Sequence, residues 1–295
     1  MAYIQTRDGT DIYVKDWGSG RPVVLLHGWP LAADMWDPQA MALAKAGFRA
    51  ITYDRRGFGR SGEPWNGYDY DTLADDLADV MSATGATTDV TLVGFSMGGG
   101  EVARYMSRHQ GKGVVAAALV ASIVPYMLKT RDNPDGTPQK VFDQIGEGIQ
   151  KDRAKFFRHT FFPQFFGAGL IASPVSDDVL AMATAAALQA GLWPTLAAAE
   201  AFAHTDFRPD LPAFKVPTLI VHGTADNTVP IDASARAAAK GIAQSRLIEY
   251  EGESHGLNVT ASERLTEDLL KFLGEQSPAG SRPTDNRRER ATAGV

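Results

Sequence analysis

The sequence predicts an α/β protein with a mostly parallel, doubly wound sheet. Apolar runs such as Val23-Val24-Leu25-Leu26 are unbroken, the mark of a strand covered on both faces. Such runs alternate with helix-like segments along most of the chain, the pattern that βαβ units leave. With 295 residues, 44% of them hydrophobic, the chain is long enough to bury one large core around such a sheet.

The opening reads as a hairpin, with a strand through Ile4 and Thr6, a turn at Asp8-Gly9, and alternating apolar residues at Ile12, Val14 and Trp17. It should form an antiparallel edge. Residues 23–26 then supply a central parallel strand, residues 32–46 a helix stopped by Gly47, and residues 48–54 the next strand. Gly57, Gly59 and Gly62 punctuate a loop before an amphipathic helix over about 71–84, with Leu73, Leu77 and Val80 on one face and acids on the other. A strand at 90–95 turns sharply at Ser96 into a helix reaching His109. Further strands are expected at 114–123, 217–223 and 246–250. Between Pro125 and Pro212 the segments suit helices broken by prolines and phenylalanines, with no strand-like run. The predicted division is therefore a core of residues 1–124 and 213–274, a helical cap insertion over 125–212, and a disordered tail at 275–295, where Ser, Pro, Gly, Arg and Thr dominate.

Composition excludes several function classes. The 29 basic residues are scattered and fall short of the 35 acidic ones, giving a net charge of −6, so no electrostatic footprint for nucleic acid is present. The absence of cysteine removes disulfides, thiolate nucleophiles and Cys-based metal sites. The apolar runs at 114–124 and 181–190 fall short of the ~20 residues needed to span a bilayer, so no membrane role is expected. The first ten residues lack a basic segment followed by an apolar stretch, which predicts a cytoplasmic protein without a secretory signal.

The chemistry centres on Gly94-Phe95-Ser96-Met97-Gly98. A Gly-x-Ser-x-Gly string alone is weak, but here it follows a strand and precedes a helix, the setting a nucleophile elbow requires. The flanking glycines remove side chains that would collide in so tight a turn. A serine hydroxyl needs a base. Of six histidines, His255 stands in a loop after the last predicted strand and before the final helix, above the same sheet edge as Ser96. His27, His109, His159, His204 and His222 read as structural or surface residues. The base needs a carboxylate to hold its tautomer, and Asp226 lies just past the 217–223 strand. Asp54 is the rival acid, but Arg55 and Arg56 beside it offer structural ion pairs. Donors for an oxyanion are expected from backbone N–H groups: Met97 at the helix start, and Trp29 in the His27-Gly28-Trp29-Pro30 loop, where Pro30 cannot donate.

At these motifs the sequence closely resembles the cofactor-free bacterial haloperoxidases, or perhydrolases, and the aryl esterases of the α/β-hydrolase superfamily. The likeness rests on Lys15-Asp16-Trp17-Gly18-Ser19-Gly20, on His27-Gly28-Trp29-Pro30, and on Tyr53-Asp54-Arg55-Arg56-Gly57-Phe58-Gly59-Arg60-Ser61. It continues through Val93-Gly94-Phe95-Ser96-Met97-Gly98-Gly99-Gly100 and Thr205-Asp206-Phe207-Arg208-Pro209-Asp210, covering about residues 1–273. The order Ser, Asp, His is also that of the α/β hydrolases.

The resemblance implies an α/β-hydrolase fold and hydrolysis of small, often aromatic, carboxylic esters through an acyl-enzyme. It implies a second activity in which hydrogen peroxide replaces water and releases a peracid, with no metal or other cofactor. The partners would be a small ester or carboxylic acid with water or peroxide, and a homo-oligomer stays open. A substrate pocket is expected at Pro30, Phe95, Phe161, Phe165 and Val229, Pro30 by restricting Trp29 so that its carbonyl can accept from peroxide. Phe162, Phe166 and Trp193 are further wall candidates. A lactonase or γ-lactamase with the same triad, or a ligand receptor on this scaffold, are the alternatives.

Overall fold

Aliphatic and β-branched runs form the strands, and prolines and glycines set their ends. The structure is a computed structural model that describes residues 2–167 and 173–276. In chain order it contains β1 (Tyr3–Gln5), β2 (Asp11–Gly18), β3 (Pro22–Leu26), α1 (Asp37–Lys45), β4 (Arg49–Tyr53), α2 (Tyr70–Ala83), β5 (Val90–Phe95), α3 (Met97–Arg108) and β6 (Val114–Val120). Four helices follow: α4 (Gln139–Phe156), α5 (Phe162–Phe165), α6 (Asp177–Gln189) and α7 (Leu192–His204). The chain then returns through β7 (Thr218–Gly223), α8 (Ala235–Gly241), β8 (Ser245–Tyr250), α9 (Leu257–Thr260) and α10 (Ser262–Glu275).

The eight strands make one sheet in the order β1-β2-β4-β3-β5-β6-β7-β8. The β1–β2 and β2–β4 pairs are antiparallel and the rest are parallel. The hairpin is thus the antiparallel edge that its alternating pattern predicts. Every residue of β5 and β7 is buried, so helices cover both faces of the sheet, as unbroken apolar runs require. Leu26 pairs with Gly94, and Phe95 with Val120. This register brings the carboxyl ends of β3, β5 and β6 to one edge, where open α/β sheets hold their sites.

Helix α2 shows how the local rules work. Asp69 caps its first turn by accepting from the Thr72 N–H at 3.0 Å. Leu73, Leu77 and Val80 are fully buried, a contribution of roughly 1.5–3 kcal/mol each. On the outer face Asp79 pairs with Arg7 at 2.9 Å and Asp75 with Arg108 at 2.8 Å.

Several boundaries differ from expectation. The helix expected over 32–46 is a 3₁₀ turn, Ala33–Trp36, followed by α1, because Pro38 suits the first helical turn. The strand expected at 114–123 ends at Val120, where Ala121 adopts a positive φ of 44°. Helix α10 runs through Glu275, the first residue of the expected tail, which pairs with Arg246 at 3.0 Å. Residues 277–295 lie outside the described residues. Among the described residues no single helix is long and apolar enough to cross a membrane.

Candidate active site

The strand-to-helix turn after β5 places Ser96 at φ 52°, ψ −117°, a left-handed conformation that non-glycine residues seldom adopt. The flanking glycines make the turn possible. A Cβ on Gly94 would stand 2.5 Å from the Gly98 carbonyl oxygen, and one on Gly98 2.6 Å from the Leu26 carbonyl oxygen. Ser96 itself is nearly buried.

Two loops from other strand ends meet it. His255, in the loop between β8 and α9, places Nε2 2.9 Å from Ser96 Oγ. Its Nδ1 lies 2.7 Å from Asp226 Oδ2, which accepts the Nδ1 proton. The other oxygen of Asp226 accepts from the backbone N–H groups of Thr228 at 2.9 Å and Val229 at 2.7 Å. Asp226 therefore sits rigidly behind the imidazole. Burial alone would raise its pKa, but the charge and hydrogen bonds of His255 and His222 outweigh burial and hold the carboxyl well below the usual carboxylate range.

The second imidazole was not anticipated. His222, fully buried at the end of β7, points Nε2 at the Val229 carbonyl, 2.9 Å away, and at Asp226 Oδ2, 3.1 Å away. A carbonyl can only accept, so Nε2 carries the proton and donates to both oxygens. Its Nδ1 is buried without a hydrogen-bond partner among the described residues. The only sequence signal was its position four residues before Asp226, at a strand end.

The loop after β3 closes the site from the other side. A Cβ on Gly28 would meet Phe95 at 2.6 Å and the Ser96 side chain at 3.1 Å, so this loop's backbone passes directly over the serine. His27 fastens it: Nε2 accepts from the Arg55 N–H at 2.9 Å, and Nδ1 donates to the Gly28 carbonyl at 3.0 Å. Burial, followed by the neighbouring Arg55, pushes the His27 pKa well down and keeps the ring neutral. The backbone N–H groups of Trp29 and Met97 have no hydrogen-bond partner among the described residues. The Trp29–Pro30 peptide bond is cis.

A cavity of about 50 Å³ opens at Ser96 and His255. Phe161 and Val229, of the residues expected to form the pocket, line it together with Trp29. Ile123, Met127, Thr137, Val141, Phe142, Ile145, Phe202 and Thr228 line it too and were not anticipated, because spacing does not reveal which face of a helix meets a site in another segment. Three expected pocket residues are not among the lining ones. Phe95 and Phe165 are fully buried and flank the imidazole instead, with ring centroids 5.2 and 4.9 Å from that of His255. Pro30 is buried. Phe162 and Phe166 belong to the core, and Trp193 stands at the surface, stacked on Trp65.

Asp54 stays out of the site, though not through its neighbours. It accepts from Arg60 Nε at 2.7 Å and from the Ala33 and Arg60 N–H groups at 2.8 Å. Arg55 instead pairs with buried Glu101 and donates to the His27 carbonyl at 2.6 Å, while Arg56 pairs with Asp76 at 2.5 Å and Asp8 at 2.8 Å. Among the described residues no group of three or more His, Asp or Glu side chains is gathered to hold a metal ion.

An elbow serine, a buried His–Asp pair and a β3 loop over one sheet edge define the α/β-hydrolase class, and the chain belongs to that family: a model for the alpha/beta hydrolase fold matches residues 21–169. A model for the prolyl oligopeptidase family matches residues 159–279, the stretch carrying Asp226 and His255. Within the class, the chain is 44% identical to a non-heme chloroperoxidase of Kitasatospora aureofaciens, over 93% of this chain and 100% of the relative. It is 39% identical to a bifunctional esterase/perhydrolase of Acinetobacter calcoaceticus, over 92% and 99%. The solved bromoperoxidase of Bacillus anthracis superposes with a TM-score of 0.88 at 40% identity, covering 92% of this chain and 99% of that one.

Proposed function

We propose that this chain is a serine hydrolase that cleaves small carboxylic esters through an acyl-enzyme on Ser96 and also transfers the acyl group to hydrogen peroxide. The observation that carries this reading is the unbroken relay from Ser96 Oγ to His255 Nε2 at 2.9 Å and from His255 Nδ1 to Asp226 at 2.7 Å. The likeness to an esterase/perhydrolase and to non-heme haloperoxidases supports the choice of acceptor.

In the first half-reaction, Ser96 Oγ attacks the ester carbonyl while its proton passes to His255 Nε2. The carbonyl oxygen becomes an oxyanion, which the unpartnered N–H groups of Trp29 and Met97 are assigned to receive, Met97 aided by the positive end of α3. The imidazolium then protonates the departing alkoxide. In the second half-reaction, water or hydrogen peroxide loses its proton to His255 as its oxygen attacks the acyl carbon. The acyl–Ser96 bond breaks, the serine recovers its proton, and the product is a carboxylic acid or a peracid. A released peracid oxidises halide in solution, giving hypohalous acid and the carboxylic acid. Helices α4 and α7 and the π-helical turn Phe157–Phe161 act as a cap, since Phe142, Phe202 and Phe161 wall the cavity.

Replacing Ser96 with alanine is expected to lower both ester hydrolysis and peroxide-dependent halogenation by at least about 10⁴-fold. Retention of halogenation by that variant would separate the two activities and contradict the shared intermediate. A cavity of about 50 Å³ holds only a few non-hydrogen atoms, given the ~10–15 Å³ on the same measure that one water occupies. Across a series of p-nitrophenyl esters, kcat/KM should therefore fall steeply from acetyl to hexanoyl. A flat series would contradict the assignment of this cavity to the acyl group.

A further inference from the structure

A second, wider opening of about 840 Å³ lies between the loop at residues 65–69, α4 and α7. Two indole rings stand in it. Trp65 and Trp193 stack with centroids 4.6 Å apart and planes 12° apart, held by Trp193 Nε1 donating to the Trp65 carbonyl at 2.6 Å. They are 69% and 41% exposed, an unfavourable state for large rings that are also fixed in place. Around them the cleft is acidic. Asp69, Asp143, Glu147 and Glu200 line it, and no Lys or Arg does so among the described residues. Asp69 is committed to capping α2, Asp143 accepts from Gln139 at 3.0 Å, and Glu200 lies 3.1 Å from His204. Glu147 has no partner among the described residues.

The cleft is not remote from the chemistry. Phe142 and Ile145 of α4 line both this opening and the cavity at Ser96. Phe142 and Ile145 are thus a shared wall between the inner acyl cavity and the cleft.

We propose that the cleft is a leaving-group subsite for a fixed cation, such as the quaternary ammonium of an amino-alcohol ester, with the short acyl group seated beside Ser96. The inference rests on the ester-hydrolase reading above and names its substrate class. Indole faces attract cations most strongly of the aromatic side chains, and alkylated ammonium groups are a recognised partner for them. Carboxylates on the walls draw the same charge in from solution. A neutral sugar ring would also stack on indole, but it would leave the negative lining without a counterpart.

The test compares choline acetate with its uncharged isostere, in which carbon replaces the ammonium nitrogen. The unaltered protein is expected to favour the cation by about tenfold in kcat/KM, mainly through KM. Trp193→Ala and Glu147→Gln should each reduce that ratio by roughly threefold or more, and added salt should reduce it further. A ratio near one, a ratio unmoved by both substitutions, or a stronger preference for an acetylated sugar would each overturn the proposal. Equilibrium dialysis of choline acetate against the non-turning Ser96→Ala protein separates the two readings. Binding weakened by Trp193→Ala, in a protein whose unaltered form cleaves no ester, supports the cleft and refutes the hydrolase. Turnover of p-nitrophenyl acetate with no choline acetate binding refutes the cleft alone.

Discussion

Asp226 carries a distribution of work that the reaction makes necessary. One oxygen holds the imidazole that must become charged, and the other is tied to the backbone of the loop whose Val229 lines the cavity. Its folded-state pKa is depressed, so it stabilises the fold fully above the ordinary carboxylate value of about 3.9, and that stability is lost as pH falls through the lower folded value. Asp226→Asn should leave a folded protein whose kcat falls by about 10⁴-fold, since the amide favours the wrong imidazole tautomer. In urea unfolding, the stability gap between the two proteins should be largest near pH 6 and narrow below pH 4. A gap that widened in acid would contradict the sign of the shift. Ser96, Asp226 and His255 were legible in the sequence because each follows a strand, so chain position implied spatial position. His222 was not legible. Its role depends on which way a strand-end side chain points, and the adjacent Gly223 gives no sign of that.

At the scale of elements, the elbow between β5 and α3 decides where the nucleophile stands. Gly98 packs against β3 so closely that a methyl group would lie 2.6 Å from the Leu26 carbonyl oxygen, and backbone cannot swing aside as a side chain can. Gly98→Ala should therefore cost about 1–3 kcal/mol in urea unfolding and lower kcat by moving Ser96 away from His255. An alanine variant with unaltered stability and rate would show that the elbow has slack. The strands at 90–95 and 246–250 were read almost to the residue. The aromatic run at 161–166 was read only in part: Phe161 reaches the cavity, while Phe165 presses on the imidazole edge. A phenylalanine cluster announces burial, but a π-helical turn over Phe157–Phe161 rotates the faces that a regular helix would present.

Across the whole molecule, buried charge ties the moving parts of the reaction to the sheet. Arg55 links the loop after β4 to Glu101 of α3 and to the His27 carbonyl, so the serine helix and the expected oxyanion loop share one anchor. Burial raises the Glu101 pKa, with Arg55 and Tyr53 opposing that rise. The string from Asp54 to Ser61 carried much of the resemblance, yet its physical reason was invisible in one dimension: Asp54 is held by Arg60, and the two arginines beside it reach elsewhere. The mostly parallel sheet and its antiparallel edge followed from patterning, whereas these long-range ion pairs join residues as many as 48 positions apart.

The central claim is that water and peroxide compete for one acyl group on one serine. Acid-quenching the enzyme during turnover of p-nitrophenyl acetate, then measuring peptide masses, tests it most directly. An acetyl adduct on the Ser96 peptide is expected, falling in steady-state amount as hydrogen peroxide is added and peracetic acid appears. An adduct on another residue, or peracid formation that leaves the Ser96 adduct unchanged, would contradict the account.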